Sequence, residues 1–423
     1  MKLNYKRTIL VGFAFFLIST FWGAYDAIVP KILDNRFGQN QTMSGFIMSF
    51  DNILAVFMLP LFGGISDKVK TRFGKRTPFI FFGTIAAVIF FVLLGYIKTL
   101  GTFIVVLLLA LIAMATFRSP AVALMPDVTV KPLRSKANAI INLMGTAGGI
   151  IALAFGILFK TGAEGKTDFS HYVIAICAVM LIGLVIFLFT VKENRWAGEM
   201  EEASLKIEDS SPNEPQEKRA LTRPELRSLC LILASVALWY IGYNAVTSRY
   251  SVYAEEVLKV DFNTTLIVAQ AAAVVAYIPV GIIASKIGRK KSILSGIVML
   301  TAAFVIASFI RAGVSELTMF PIFALAGIGW ATINVNSFPM VVELAKGGDV
   351  GRYTGFYYTA SMSAQIVTPI LSGVLVDNIA WEVLFPYAAI FASLSFVTML
   401  FVKHGDSRPK KMGVLESLGE SDD

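Results

Sequence analysis

Runs of roughly twenty apolar residues, separated by short polar stretches, follow one another along this chain. A helix of that length crosses a hydrocarbon core of ~30 Å. Twelve such spans are predicted, at about 8–30, 43–65, 77–97, 102–125, 137–159, 171–191, 228–247, 263–284, 292–311, 317–341, 353–375 and 382–402. Between the sixth and seventh lies a stretch, 192–227, that mixes acidic and basic residues with three prolines. It reads as a solvated linker. The sequence after Lys403 reads as a short polar tail. The expected fold is an all-α membrane protein with a first six-helix bundle over 1–191, a linker over 192–227, a second bundle over 228–403 and a tail over 404–423. The seventh helix is expected to start at Thr222, ahead of Arg223-Pro224-Glu225.

The two apolar halves repeat one another. Tyr25-Asp26-Ala27 is echoed by Tyr243-Asn244-Ala245, and Gly63 in GGISDKVKTRFGKR by Gly281 in GIIASKIGRKK. Asp127 is echoed by Glu343, and Arg134 by Arg352, so the offset stays at 216 to 218 residues. A half-protein of about six spans written twice is the signature of a secondary transporter that rocks one half against the other. The second copy has lost some of the charges of the first.

Composition and charge narrow the class. Hydrophobic residues make up 56 % of the chain and charged residues 16 %, against about a quarter in a soluble domain. The net charge of +8 invites a nucleic-acid reading, but the basic residues crowd alternate loops: Lys68, Lys70, Arg72, Lys75 and Arg76; then Lys131, Arg134 and Lys136; then Lys286, Arg289, Lys290 and Lys291. This is the positive-inside pattern, with both termini cytoplasmic and the chain multi-pass in the cytoplasmic membrane. No nucleic-acid partner is expected. Lys2, Lys6 and Arg7 precede an uncleaved first span. Cys177 and Cys230 both fall inside spans and form no disulfide framework. There is no phosphate-binding loop, no metal-ligand cluster and no catalytic constellation in the sequence. A transporter without cofactor is therefore expected rather than an enzyme.

The loop Gly63–Phe79 carries the most specific motif. Asp67 and the basic residues after it, Arg76 among them, fall at a helix end, where a carboxylate meets positive helix termini and cations meet acids. The string P-x-x-G-x-x-S-D-x-x-x-T-R-F-G-K-R-x-P-F-I, from Pro60 to Ile80, resembles the loop signature of the major facilitator superfamily. Within it, the string resembles the sucrose and disaccharide proton symporters, a group related to the glycoside–pentoside–hexuronide cation symporters. SPAVALMPD (Ser119–Asp127) and GIGWATINVNSFP (Gly327–Pro339) are similar to the fourth- and tenth-helix regions of that group. The resemblance implies the major facilitator fold. It also implies a cytoplasmic gate in which Asp127 pairs with Arg352 and Glu343 with Arg134. The coupling acids of the related groups do not carry over, because Leu111 and Leu59 stand in their places, and Val122 replaces an Arg.

Three ionisable residues interrupt apolar spans: Asp26, Asp51 and Arg118. A charge at mid-bilayer costs at least ~2.5–3.5 kcal/mol and so needs water or a partner. By helical rise the two carboxylates lie at similar depth, Asp51 about 12 Å in from its helix end, with Arg118 deeper, so depth alone does not pair Asp26 with Arg118. Asp26 and Asp51 are the candidate proton carriers, with sodium as the alternative ion. Candidate substrate-binding residues are Trp22, Tyr25, Asn52, Arg118, Tyr243, Asn244, Trp330, Asn334 and Asn336. Arg118 and Asn334 hold equivalent places in the two copies. Superfamily resemblance implies that helices 1, 4, 7 and 10 line one cavity and bring these residues together. Amides, carboxylates and a guanidinium bind hydroxyls, and aromatic faces stack on the C–H side of a sugar ring. The expected function is proton-coupled symport of a di- or oligosaccharide or glycoside by a protein working as a monomer in the lipid bilayer. The rival on the same fold is a drug or metabolite exporter. The rival from another class is a membrane-embedded enzyme or sensor.

Overall fold

The computed structural model describes residues 3–130, 133–208, 221–344 and 350–405. Lys131, residues 209–220 of the polar linker and residues 406–423 of the tail lie outside the described residues. Every regular element among the described residues is helical. Hydrocarbon offers backbone N–H and C=O groups no partner, and a helix satisfies them within one segment.

In chain order the helices are α1 (Tyr5–Lys31), α2 (Gln41–Met48), α3 (Phe50–Lys68), α4 (Thr77–Tyr96), α5 (Leu100–Asp127), α6 (Arg134–Leu158), α7 (Ser170–Thr190), α8 (Glu193–Glu208), α9 (Arg223–Thr247), α10 (Tyr250–Tyr253), α11 (Phe262–Ile287), α12 (Arg289–Ala307), α13 (Glu316–Val342), α14 (Val350–Asn378) and α15 (Leu384–Leu400). Among the described residues eleven spans are long and apolar enough to cross a membrane, α2 and α3 counting as one. The twelfth helix, α11, has 26 residues and carries the apolar stretch Phe262–Tyr277. Each of the twelve expected spans coincides with one of these helices.

The chain divides into two compact units. The first holds Met1–Phe37, Phe50–Thr161 and Gly165–Asn213; the second holds Gly38–Ser49, Gly162–Glu164 and Glu214–Asp423. In the first unit α1 packs along α6 and α7, and α5 packs against α3 and α4. Beyond Lys31, α1 continues through one π turn, Ile32–Arg36. The Arg36 guanidinium donates to the Leu94 and Ile97 carbonyls at the end of α4 and to the Thr167 carbonyl, supplying donors that a helix C-terminus lacks.

The stretch expected as a solvated linker begins differently. Its residues Glu193–Glu208 form α8, and Trp196 and Glu193 are buried. The reason lies at the start of α4. Arg76, its N-cap residue, makes no side-chain cap, so the first N–H groups of α4 need an outside acceptor. Glu193 provides it: Oε1 accepts from the Lys75 and Arg76 amides at 2.7 and 2.9 Å, and Oε2 from the Thr77 amide and hydroxyl at 2.8 and 2.7 Å. The polar composition of 192–227 hid a carboxylate that is an integral part of the first bundle. Farther along, Thr222 and Glu225 form a reciprocal capping box at the head of α9, where the helix was expected to start.

The second unit includes α2. Asp377, near the end of α14, accepts from the Gln41 and Thr42 amides at 2.8 and 2.7 Å and so caps α2. Arg249, 1 % exposed, donates to Gln41 Oε1 at 2.7 Å, to the Gln41 and Pro369 carbonyls and to the Ser372 hydroxyl. α2 and α14 meet at glycine: a Cβ at Gly45 would stand 2.0 Å from the Pro369 carbonyl oxygen. Within this unit α11 and α12 both pack on α13, and α9 lies against α14 and α15.

Replacing Glu193 by Ala strands three amides at the head of α4. Each buried donor left unmade costs ~1–3 kcal/mol. Thermal unfolding of the purified protein is expected to show a clear drop in Tm for Glu193→Ala and a smaller one for Glu193→Gln, which keeps an acceptor. Equal Tm for wild type and Glu193→Ala would refute this role.

Candidate functional site

In the first unit the intramembrane charges come together. Asp26 is the single exposed residue of the stretch Phe21–Leu33, with buried or half-buried neighbours on both sides. A carboxylate exposed within a span needs water or a partner. Asp51 and Arg118 lie within electrostatic reach of Asp26, and Tyr25 lies within reach of both carboxylates. Asn52 donates from its backbone and its side-chain amide to Asp51 Oδ1, at 2.5 and 2.7 Å.

Arg118 joins the cluster although its Cα is deep. It lies roughly 27 Å along α5 from Leu100, whereas Asp26 lies roughly 15 Å from the Arg36 end of its span, at ~1.5 Å per residue. The Phe37 and Phe103 rings touch, at 5.1 Å between centroids, so these two ends are level. Side chains on a helix lean toward its N-terminus. On α5 that direction leads toward Asp26, and the Arg118 guanidinium rests 5.5 Å from the centre of the Trp22 ring, one turn from Asp26. Two polar atoms here are buried without a hydrogen-bond partner: Trp22 Nε1 and the Tyr25 hydroxyl. Buried polar groups are normally satisfied, so both are open to water or a ligand.

The second unit carries an aromatic and amide set. The Tyr243 ring stacks on Trp330 at 3.6 Å and 4°, and Tyr240 meets the same indole edge-on at 5.3 Å and 83°. One face of Trp330 is thus covered by Tyr243 of α9, and the residue is half-buried. The side-chain amides of Asn244 and Asn336 donate to carbonyls one turn back, Tyr240 and Thr332, at 2.8 and 2.9 Å. Asn334 is buried, and Asn336 is fully buried with its Oδ1 unpartnered.

The charged helix ends form an ion-pair set in each unit. Arg76, buried, donates to Asp127 Oδ2 at 2.8 Å and also binds Asp67 and the Ser66 hydroxyl. Lys75 reaches the same Asp127 oxygen at 3.1 Å. Arg134 donates to the Thr129 and Pro126 carbonyls. In the second unit Arg289 donates to Glu343 Oε1 at 2.8 Å, and Arg352 lies over the Phe356 ring at 5.5 Å. Asp127 and Glu343, expected to pair with Arg352 and Arg134, each hold a cation of their own unit. The sequence reading named Asp67, Arg76, Asp127, Arg134, Glu343 and Arg352 but missed Glu193, which caps the backbone at Arg76, and Arg289, which pairs with Glu343; it also missed Arg249, which joins α2 to α14. The offset from Arg76 to Arg289 departs from that of the other repeat pairs, which is why the repeat did not expose it.

Among the described residues eleven membrane-spanning helices and the partly apolar α11, in two units with charge and amide clusters set inside the spans, make a multi-pass membrane protein. The chain belongs to the Major Facilitator Superfamily, whose sequence profile matches residues 11–341 and 261–417. It is 24 % identical over 409 residues to an uncharacterised MFS-type transporter of Methanocaldococcus jannaschii, covering 94 % of this chain and 95 % of that one. It is 27 % identical over 151 residues to a sucrose transport protein of Arabidopsis thaliana, covering 30 % of this chain and 24 % of the relative. Among solved structures, a nucleoside transporter superposes with a TM-score of 0.69 at 14 % identity, covering 94 % of this chain and 100 % of that one. A peptide transporter superposes at 0.70 and 13 %, covering 94 % and 93 %. At such identities these two show the shared fold alone.

The Arg76 knot tests the first ion-pair set. One planar guanidinium serves Asp67, Asp127 and Ser66 together, a geometry an ammonium does not reproduce. Arg76→Lys is expected to lower Tm nearly as far as Arg76→Ala. Full retention of Tm by Arg76→Lys would reduce the knot to simple charge.

Proposed function

We propose that this transporter is a proton-coupled sugar symporter in which the first unit's cluster takes the proton and the second unit's aromatic and amide set takes the sugar. The observation that carries the proposal is the accessible Asp26 beside Asp51, Tyr25 and Arg118. With both carboxylates ionised, the two acids and one guanidinium carry a net charge of −1. One proton brings the cluster to neutrality, the favoured state in a poorly solvated span. Two carboxylates this close titrate as a pair, so the proton belongs to the cluster rather than to one residue. Arg118 keeps the deprotonated state tolerable and releases its hold when the proton arrives.

The sugar reading rests on chemistry and on partial similarity. The Trp330 ring offers an aromatic surface for the C–H face of a pyranose, and Asn244 and Asn334 offer hydroxyl partners. The similarity to the Arabidopsis sucrose transport protein over part of the chain supports the same class. We place the protein in the cytoplasmic membrane as a functional monomer, with its basic loops and both termini on the cytoplasmic side. The helix-end ion pairs serve the cycle of access, made in one state and broken in another.

Uptake into proteoliposomes over a panel of mono- and disaccharides, with a pH gradient, a sodium gradient or neither, tests the assignment. A pH gradient is expected to drive accumulation. Asp26→Asn and Asp51→Asn are each expected to abolish it while leaving sugar binding measurable. If both variants accumulate solute like wild type, the cluster is not the coupling site; accumulation driven by sodium alone replaces the proton.

Binding tests the second set separately. Asn334→Ala leaves a buried hydroxyl partner unmade, a loss of ~1–3 kcal/mol, and is expected to weaken sugar binding roughly 5- to 150-fold at ~1.4 kcal/mol per tenfold. Trp330→Ala is expected to weaken it too, as read by titration calorimetry. A thermal-shift panel in which hydrophobic cations stabilise the protein and no sugar does would turn the assignment to an exporter.

A further inference from the structure

We infer that the second unit carries a binding groove for an anionic phospholipid, separate from the solute set. Between α11 and α12, with α13 as its floor, lies an almost wholly apolar cavity of about 550 Å³. Its walls are Ala272, Val275, Ala276, Pro279 and Ile283 on α11 and Ser295 and Met299 on α12, and its floor is Ile328 and Thr332. The volume falls in the range of ~300–1,000 Å³ typical of small-molecule sites. Helix periodicity says which way it faces. Ile328 and Thr332 are each displaced two positions from Trp330 and Asn334, about 200° around α13 at ~100° per residue. The groove therefore lies on the side of α13 turned away from Trp330 and Asn334; Asn336, one turn beyond Thr332, shares the groove's side.

One end of the groove is cationic. On α11 the row Ala272, Val275, Pro279, Ile283 continues after three residues to Lys286, the same helix face. On α12 the row Met299, Ser295 continues after four residues to Lys291. Both walls thus finish in an exposed lysine where the helices join through Gly288, whose φ of 94° makes the turn. The cations are not neutralised alike. Arg289 is paired with Glu343, and Lys290 donates to the Leu400 and Val402 carbonyls at 2.9 and 2.7 Å. Lys286 and Lys291 have no carboxylate within salt-bridge distance among the described residues.

The first turn of α12 adds to this. Arg289, Lys290 and Lys291 sit on the positive end of the helix with no acid in that turn. Cations at a helix N-terminus oppose the dipole, and a phosphate there is stabilised by it. An apolar cavity of about 550 Å³, ending in two lysines without a carboxylate partner among the described residues and in a positive helix end, suits one ligand: a glycerophospholipid with a net negative headgroup. Basic pockets between membrane helices recognise lipids in this way. Long lysine side chains near a helix end carry their ammonium groups toward the headgroup level.

The test places a reporter indole in the groove wall by Val275→Trp and measures its quenching by lipids brominated on the acyl chain. The full chain is reconstituted in phosphatidylcholine vesicles, without and with an equal part of phosphatidylglycerol, and the bromine is carried by one lipid or the other. The native tryptophans are subtracted with the unsubstituted protein. Brominated phosphatidylglycerol is expected to occupy the site about 25-fold more readily than brominated phosphatidylcholine, about 5-fold for each lysine. Lys286→Gln with Lys291→Gln is expected to remove the preference, and Lys286→Arg with Lys291→Arg to keep it. Equal quenching by the two lipids, or a preference that survives the double Gln variant, overturns the inference. To guard against disturbance by the reporter, Ala272→Phe without the indole fills the slot. It is expected to abolish the added thermal stability that phosphatidylglycerol confers over phosphatidylcholine, and an unchanged lipid-dependent Tm also overturns the inference.

Discussion

An ionised side chain in hydrocarbon must find water or an opposite charge, and that requirement organises the first unit. Asp26, Asp51 and Arg118 come from three different helices, α1, α3 and α5. Placed singly, each would cost at least ~2.5–3.5 kcal/mol on insertion scales. Arg118 lies within electrostatic reach of both carboxylates and offsets part of their charge, and Asn52 donates to Asp51. The cluster cannot become fully neutral by pairing alone, since two acids face one base. The remaining charge is the physical ground for the proposed proton site, which would tie the packing of three spans to coupling.

The same rule applies at the helix ends in another form. There the unsatisfied groups are backbone amides and carbonyls. Glu193 satisfies the head of α4, Asp377 the head of α2 and Arg36 the end of α4. Arg249 binds two backbone carbonyls and two side chains of the second unit from a fully buried position. These charges sit beside polar backbone rather than beside water, so each fixes the geometry of one junction.

Much of the architecture was legible in the sequence because hydrocarbon imposes a simple rule of length and composition. All twelve spans, the Thr222 start of α9 and the family signature around Asp67 and Arg76 could be read from residues alone. The cluster was half legible. The rarity of charge in apolar runs picked out Asp26, Asp51 and Arg118, but helical rise counts Cα positions and not the direction of an Arg side chain. The Cα of Arg118 is as deep as expected, and its side chain's lean toward the start of α5 brings the guanidinium over Trp22, within electrostatic reach of both acids. Glu193 was illegible because its neighbours are polar, so composition placed it in solvent. The Tyr243–Trp330 stack joins residues on α9 and α13, and no local pattern announces it.

The central claim is that solute movement carries charge through the Asp26–Asp51–Arg118 cluster. Transient currents from proteoliposomes on a solid-supported membrane, recorded on a sugar concentration jump across a range of pH, address it most directly. The account predicts a sugar-dependent current of positive charge moving with the sugar, smaller when protons are scarce, and absent in both Asp26→Asn and Asp51→Asn although sugar still binds. A sugar-driven current of wild-type size in either variant, or sugar transport by the wild type that moves no charge at any pH, would contradict it.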